Sequence, residues 1–299
     1  MRETFLNCLV ERANVDSRIV LVSADMGYSV LEPFMEQFPD RFFNVGISEQ
    51  NAVSVAAGMA LNGKVVYVYS IIPFVTMRCF EQIRVDVAYM NTNVRLVGVG
   101  AGYSYGPAGA THHAIEDIAI MRALPNMTVC CPGDPLEARA LVTQSFDHKG
   151  PMYLRLGKTR EPVLHAADTP ITLGKAAQVR QGKDIALLTT STMLEQGCAL
   201  SDYWGQKGVS IAVYSYHTVK PLDVALIQFL IQEGYKIITL EEHSIIGGLG
   251  SAVAEVIAES NRPVPFKRIG IPDCFTHHVG SQASLRKLYH LDSFDLEFQ

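Results

Sequence analysis

Charge is scarce in this sequence. Asp, Glu, Lys and Arg together make up 18% of 299 residues, with a net charge of −5. No run of Lys and Arg is present to hold a phosphate backbone, which argues against nucleic acid or an anionic membrane as a main partner. Long apolar runs are also missing, and none reaches the length needed to span a bilayer. The start, Met1-Arg2-Glu3-Thr4-Phe5, carries an acid early and has no apolar signal core. The six cysteines show no C-x-x-C spacing, and Cys130 and Cys131 are neighbours, so packed thiols in a reducing compartment are expected. No H-E-x-x-H pattern, internal repeat or low-complexity tract occurs. These absences predict a cytoplasmic protein.

What is abundant is apolar surface. A hydrophobic share of 48% in a chain of this length supports two full cores and points to large buried surfaces, a partner interface among them. Apolar β-rich runs alternate with helical patterns, which predicts an α/β fold: two domains, each a mostly parallel sheet flanked by helices. In the first half the strands fall at 19–22, 65–69, 94–99 and 128–131, with a further one at 152–156. Helices fit 3–13, 51–61, 79–90 and 135–147. The helix over 79–90 places Phe80, Ile83, Val87 and Met90 on one face. Polar and proline-rich sequence from Gly157 to Pro170 marks a connection. The expected division is 1–160, a linker over 161–172, and 173–299. In the second half strands fit 185–190, 210–214 and 236–240, with helices near 195–207, 222–233 and 251–260.

The segment Val45-Gly46-Ile47-Ser48-Glu49-Gln50-Asn51 fixes one carboxylate at a strand-to-helix turn. Arg41–Val45 reads as a short extended run. Asn51 to Leu61 is dense in Ala, Val and Met, so it reads as a largely buried helix. Ser48 is placed as its N-cap, with Glu49 in the first turn. On spacing alone, complementing the helix dipole is the simpler role for Glu49. A partly desolvated carboxyl there can instead share or donate a proton near neutral pH.

Other candidates follow strand ends. Gly98-Val99-Gly100-Ala101-Gly102 lacks the prompt helix of a dinucleotide site and reads as an irregular loop where α/β ligands bind. Gly247-Gly248-Leu249-Gly250 reads as a close strand–helix contact. Thr111-His112-His113 is a poor metal site, because adjacent histidines diverge, but one of them can donate to a substrate oxygen. Phe74 follows Pro73 at a loop rim, where a ring can stack on a flat heterocycle. His277 and His278 receive no role.

Taken in order, several segments resemble the C-terminal half of a transketolase: Ser23-Ala24-Asp25-Met26, Val45 to Asn51, Tyr69 to Asp86, Gly109-Ala110-Thr111-His112, Ala123 to Met127, Thr218 to Asp223, and Glu241-Glu242-His243 with Gly247-Gly248-Leu249-Gly250. The resemblance covers nearly the whole chain. It implies a pyrimidine-binding domain followed by the family's C-terminal domain, and thiamine diphosphate chemistry. Glu49 matches the glutamate that drives the aminopyrimidine to its imino form. Phe74 matches the ring that stacks on the pyrimidine, Asp25 an acid close to the cofactor, and Arg78 falls among the cofactor-contacting positions. His112 matches a histidine that contacts the donor ketose. Arg2, Ser29 and Arg155 match residues that grip substrate phosphate.

The family's Gly-Asp-Gly segment, which holds a divalent cation, is missing; the nearest run is Gly133-Asp134-Pro135. The resemblance therefore implies one subunit of a split transketolase. The diphosphate and its Mg2+ (or Ca2+) would be held by an N-terminal, diphosphate-binding partner subunit, and two copies of this chain would sit at the core of an α2β2 heterotetramer. Ala108 stands where the family has an aspartate that reads a sugar hydroxyl, which makes a specialised sugar substrate possible. The beta subunit of a 2-oxo acid dehydrogenase and a non-catalytic assembly partner stay open as alternatives.

Overall fold

A strand buried on both faces must be largely apolar, and runs of that kind recur along this chain. The computed structural model describes residues 1–158, 161–293 and 295–296, so Thr159, Arg160 and Gln299, at the edges of the expected divisions, lie outside the described residues. The first half contains β1 (Ile19–Ser23), β2 (Phe42–Asn44), β3 (Val65–Ile71), β4 (Val94–Val99), β5 (Thr128–Cys130) and β6 (Met152–Leu156). The second contains β7 (Ala177–Arg180), β8 (Ile185–Thr189), β9 (Ile211–Ser215), β10 (Thr218–Lys220), β11 (Lys236–Ser244) and β12 (Phe266–Ile271).

Two sheets result, ordered β10-β5-β6-β4-β3-β1-β2 and β12-β11-β8-β9-β7. All pairings are parallel except β10 with β5 and β7 with β9. Alternate side chains supply two cores on opposite faces. Val20, Val22, Val66 and Val68 join one, while Ile19, Leu21, Tyr67 and Tyr69 join the other. The second sheet repeats the device, with Leu187 and Val213 on one face and Leu188 and Ala212 on the other. Helices over both faces are what parallel sheets require.

Those helices are α1 (Arg2–Ala13), α2 (Glu32–Gln37), α3 (Glu49–Leu61), α4 (Ile72–Thr76), α5 (Phe80–Gln82), α6 (Asp117–Ala123), α7 (Pro135–Ser145), α8 (Met193–Gly205), α9 (Val224–Gln232), α10 (Leu249–Glu259) and α11 (Gln282–Leu288). Along α3 the buried face is built from Ala52, Val53, Ala56, Ala57 and Ala60, small side chains that bring the helix close to the sheet.

Four local features differ from the expected pattern or were absent from it. The helix expected over 79–90 is α5 followed by a π-helical run at Ile83–Tyr89, and its wider turn carries Met90, 50% exposed, off the buried face. Phe74 sits inside the short helix α4 rather than on a loop. The edge strand β10 comes from the second half yet pairs antiparallel with β5 of the first. Five of the six cysteines are packed as expected, but Cys274 is exposed.

Candidate active site

The carboxyl ends of parallel strands form the rim where α/β folds bind ligands. Asp25 follows β1, Glu49 follows β2, Phe74 and Arg78 follow β3, and His112 follows β4.

Glu49 opens α3 and is 2% exposed. Its Oε2 accepts a hydrogen bond from Arg78 Nη1 at 2.7 Å. Among the described residues no donor reaches Oε1. Ser48 occupies the N-cap position, but its Oγ donates to the Val45 carbonyl at 2.8 Å instead of capping a first-turn amide. The Arg78 guanidinium also lies over the Phe74 ring, 4.7 Å from its centroid. Phe74 in turn meets His112 edge-on, with centroids 5.0 Å apart. Glu49, Arg78, Phe74 and His112 thus form one continuous chain of contacts.

His112 is half-buried, and its Nδ1 is 2.9 Å from the Thr111 hydroxyl. Burial, with the nearby His113 and Lys158, holds its pKa below the ordinary 6.5, so the ring is neutral at pH 7. His113 turns the other way. It is 3% exposed, its Nε2 pairs with the Gly106 carbonyl at 3.3 Å, and its ring abuts Tyr103.

Asp25 has a left-handed backbone, φ 55°. Its Oδ1 accepts from Asn44 Nδ2 at 3.0 Å and from the Tyr28 hydroxyl at 3.1 Å. Ser29, φ 61°, donates its amide to Glu32 Oε1 at 2.7 Å. Arg2, Tyr28, Ser29, Lys158 and Glu161 line a cleft of about 740 Å³. Burial pushes the Tyr69 hydroxyl up to about 12, a rise that the neighbouring Arg2 guanidinium holds back.

Arg155 is not brought to this cleft. It is 1% exposed, and its Nε donates to Asp117 Oδ2 at 2.8 Å. Its Nη2 reaches the Ala114 carbonyl at 2.8 Å and the Glu242 carbonyl of the second half at 3.3 Å. A buried strand position with a carboxylate behind it turns the guanidinium inward. Lys158, to which the residue pattern assigned no role, stands where Arg155 was expected. Its Nζ lies 4.1 Å from the Tyr105 ring centroid, and Tyr105 lies 6.0 Å from His112. Its position just past the end of β6 was the available signal.

The donor set fits an aminopyrimidine: a buried carboxylate with one oxygen fixed by arginine and the other left for a ring nitrogen, beside an aromatic face. Among the described residues, one group of carboxylates and histidine is close enough to share a cation: Asp134, Glu137 and His165. All three are buried and already bonded. Asp134 Oδ1 caps α7 by accepting from the Glu137 amide at 2.8 Å, and His165 Nε2 meets Glu137 Oε1 at 2.7 Å.

Residues 1–162 match the transketolase pyrimidine binding domain, and residues 174–295 the transketolase C-terminal domain. The chain is 36% identical over 296 residues to one subunit of the apulose-4-phosphate transketolase of Actinobacillus succinogenes, covering 97% of this chain and 95% of that protein. It is 38% identical over 297 residues to the SqwH subunit of the 6-deoxy-6-sulfo-D-fructose transketolase of a Clostridium species, covering 99% and 92%. A solved split gene transketolase, described as an inactive beta4 tetramer, superposes with a TM-score of 0.87 at 35% identity, covering 97% of this chain and 93% of that one.

Proposed function

The chain belongs to the transketolase family, and from that premise we propose that it is the pyrimidine-binding subunit of a two-subunit transketolase, moving a two-carbon ketol unit from a ketose to an aldose. The observation that carries this reading is the contact chain from Glu49 through Arg78 and Phe74 to His112. When bound, thiamine diphosphate supplies the nucleophilic carbon and the electron sink. Glu49 holds a proton at the pyrimidine ring nitrogen through its free oxygen, and Arg78 keeps the carboxylate aimed. Phe74 presents a face for the ring to stack on. The neutral His112 donates a hydrogen bond to the donor oxygen that gains charge during transfer.

Arg2, Lys158 and Ser29 give the cleft two cations and a hydroxyl, which suits an anionic group at the far end of the sugar. Asp25, on the rim and bonded to Tyr28 of the cleft wall, is assigned to the cofactor. The diphosphate and its divalent cation are left to a partner subunit. In support, two relatives are named as subunits of transketolases, and the solved neighbour is a tetramer of beta chains that is inactive. We assign the working form as two copies of each subunit, with this chain at the centre.

Calorimetry and turnover on the isolated and the paired chain test the reading. The isolated chain is expected to bind thiamine diphosphate weakly and to be inactive. Adding a subunit that carries Gly-Asp-Gly should restore ketol transfer. Tight Mg2+-dependent binding with turnover by this chain alone would refute it.

A further inference from the structure

The loop that carries His112 is closed at its base and held from outside its own domain. Gly102 and Ala114 exchange two backbone hydrogen bonds, of 3.1 and 2.9 Å, and so pinch off residues 103–113 as a unit. Inside it, Tyr103 is fully buried, and its hydroxyl bonds Thr276 Oγ1 at 2.6 Å. Thr276 also bonds the Tyr289 hydroxyl at 2.8 Å, and the Tyr289 ring stacks on Tyr103 at 6.0 Å. Gln282 Nε2 reaches Ser104 Oγ at 3.2 Å. The Gly106 backbone lies so close to the second half that a methyl group there would come within 2.4 Å of the Gly280 carbonyl.

The first half also meets this loop on its rim side, through Phe74 against His112, Lys158 over the Tyr105 ring and the Ala101 carbonyl, which accepts from Ser104 Oγ at 2.6 Å. His112 touches Phe74 and Thr111, and the loop residues Pro107, Ala108, Ala110 and Thr111 are at least partly exposed. The tether beneath it fixes the buried side of the loop, opposite those contacts. A displacement of about 1 Å in a group acting on a reacting atom can cost a hundredfold in rate, so such a tether has catalytic consequence.

We propose that Thr276, together with Gln282, is a positioning residue for the transfer reaction: the C-terminal domain helps to set where His112 stands through Tyr103 and Ser104. This rests on the role given to His112 above. The path runs from Thr276 to Tyr103, whose ring packs edge-on against His113, the immediate neighbour of His112, at 4.9 Å. His113 then bonds the Gly106 carbonyl and closes the loop on itself.

The test uses the assembled two-subunit enzyme and variants Thr276→Val, Thr276→Ser and Gln282→Ala. Two readouts are taken: the rate at which diethyl pyrocarbonate modifies His112, followed by peptide mass spectrometry, and kcat and KM for the donor ketose. Thr276→Val removes the shared hydroxyl at nearly constant volume. It should change the His112 modification rate several-fold and lower donor kcat/KM about fivefold or more, the coupling expected of residues in one contact network. Thr276→Ser should restore both. In a His112→Ala background, Thr276→Val should add no further loss. Gln282→Ala, at a partly buried position whose Nε2 also donates to Glu242 Oε2 at 2.8 Å, should act in the same direction and serves if Thr276→Val fails to assemble.

An unchanged modification rate in the assembled variants overturns the tether. So does a loss that persists in full in the His112→Ala background, or one that serine leaves unrepaired. A kinetically silent His112→Ala would instead refute the role of His112, and the modification rates would still decide the tether.

Discussion

Arg78 Nη1 stands 2.7 Å from Glu49 Oε2, with the arginine side chain 43% exposed and the glutamate 2% exposed. The arginine reaches in from solvent to fix one oxygen of a buried carboxylate, and its guanidinium is steadied by Phe74. Glu49→Gln keeps this shape but removes the group able to hold and return a proton. The variant should assemble normally and lose on the order of a hundredfold or more in turnover. Deuterium exchange at the cofactor's C2 in the complete enzyme measures the step directly. Exchange at the wild-type rate would remove Glu49 from its assigned role.

The two neighbouring histidines separate by orientation. His112→Ala should lower turnover strongly, up to about 3 kcal/mol in barrier, with cofactor affinity intact, because it deletes a donor to a charged oxygen. His113→Ala removes a buried ring that touches Tyr103 and Gly106, so its first effect should be a lower melting temperature. Steady-state kinetics beside thermal unfolding distinguish the two. Equal losses in kcat would mean that the loop faces the substrate in another register.

Arg155 and Asp117 form a fully buried pair, with Tyr153 also donating to Asp117 at 2.7 Å. Arg155→Met leaves an unpaired carboxylate in a dry interior and should cost about 3–5 kcal/mol of stability. Urea unfolding reads that loss. If Arg155 gripped substrate instead, Arg155→Lys would raise the acceptor KM about tenfold while leaving the unfolding midpoint in place. The geometry predicts the opposite pattern, a lowered midpoint and an unchanged KM.

His165 provides a pH signature. Burial disfavours its cation, but the hydrogen bond and charge of Glu137, with Asp134 behind, outweigh that and raise its pKa above the ordinary 6.5. A histidine raised in the folded state stabilises fully below its unfolded pKa, and the benefit is lost as pH rises through the folded value. Wild-type stability should therefore fall, relative to His165→Gln, from about pH 6.5 upward. His217, lowered by burial, titrates with the opposite sign, so the difference between the two proteins is the quantity to follow. Parallel melting curves across pH 6 to 9 would show that the pair is not charged.

Much of this arrangement could be read from residue order because parallel sheets are legible as apolar runs. Strands β1, β3, β4 and β6 fall at or within two residues of the expected bounds, since each is buried on both faces and so largely apolar. Glu49 was placed in the first turn of α3 by the apolar helix behind it. Contacts between distant segments left no such trace. Arg155 looked like a ligand because nothing local announces that Asp117, 38 positions earlier, waits behind the strand. The π-helical run keeps an ordinary helical spacing at Ile83 and Val87 and departs only beyond them. β10 is three residues long, too short to announce a strand.

That short strand has a larger consequence. β10 covers the outer edge of β5, and the Cys131 amide donates to the His217 carbonyl at 2.8 Å. A chain cut between its halves would strip the first sheet of its border and leave a row of backbone donors and acceptors open to any passing strand. The boundary seen along the sequence is therefore not a place where the molecule can be divided. Each half completes the other, and a fusion or a shuffled variant must carry both across together.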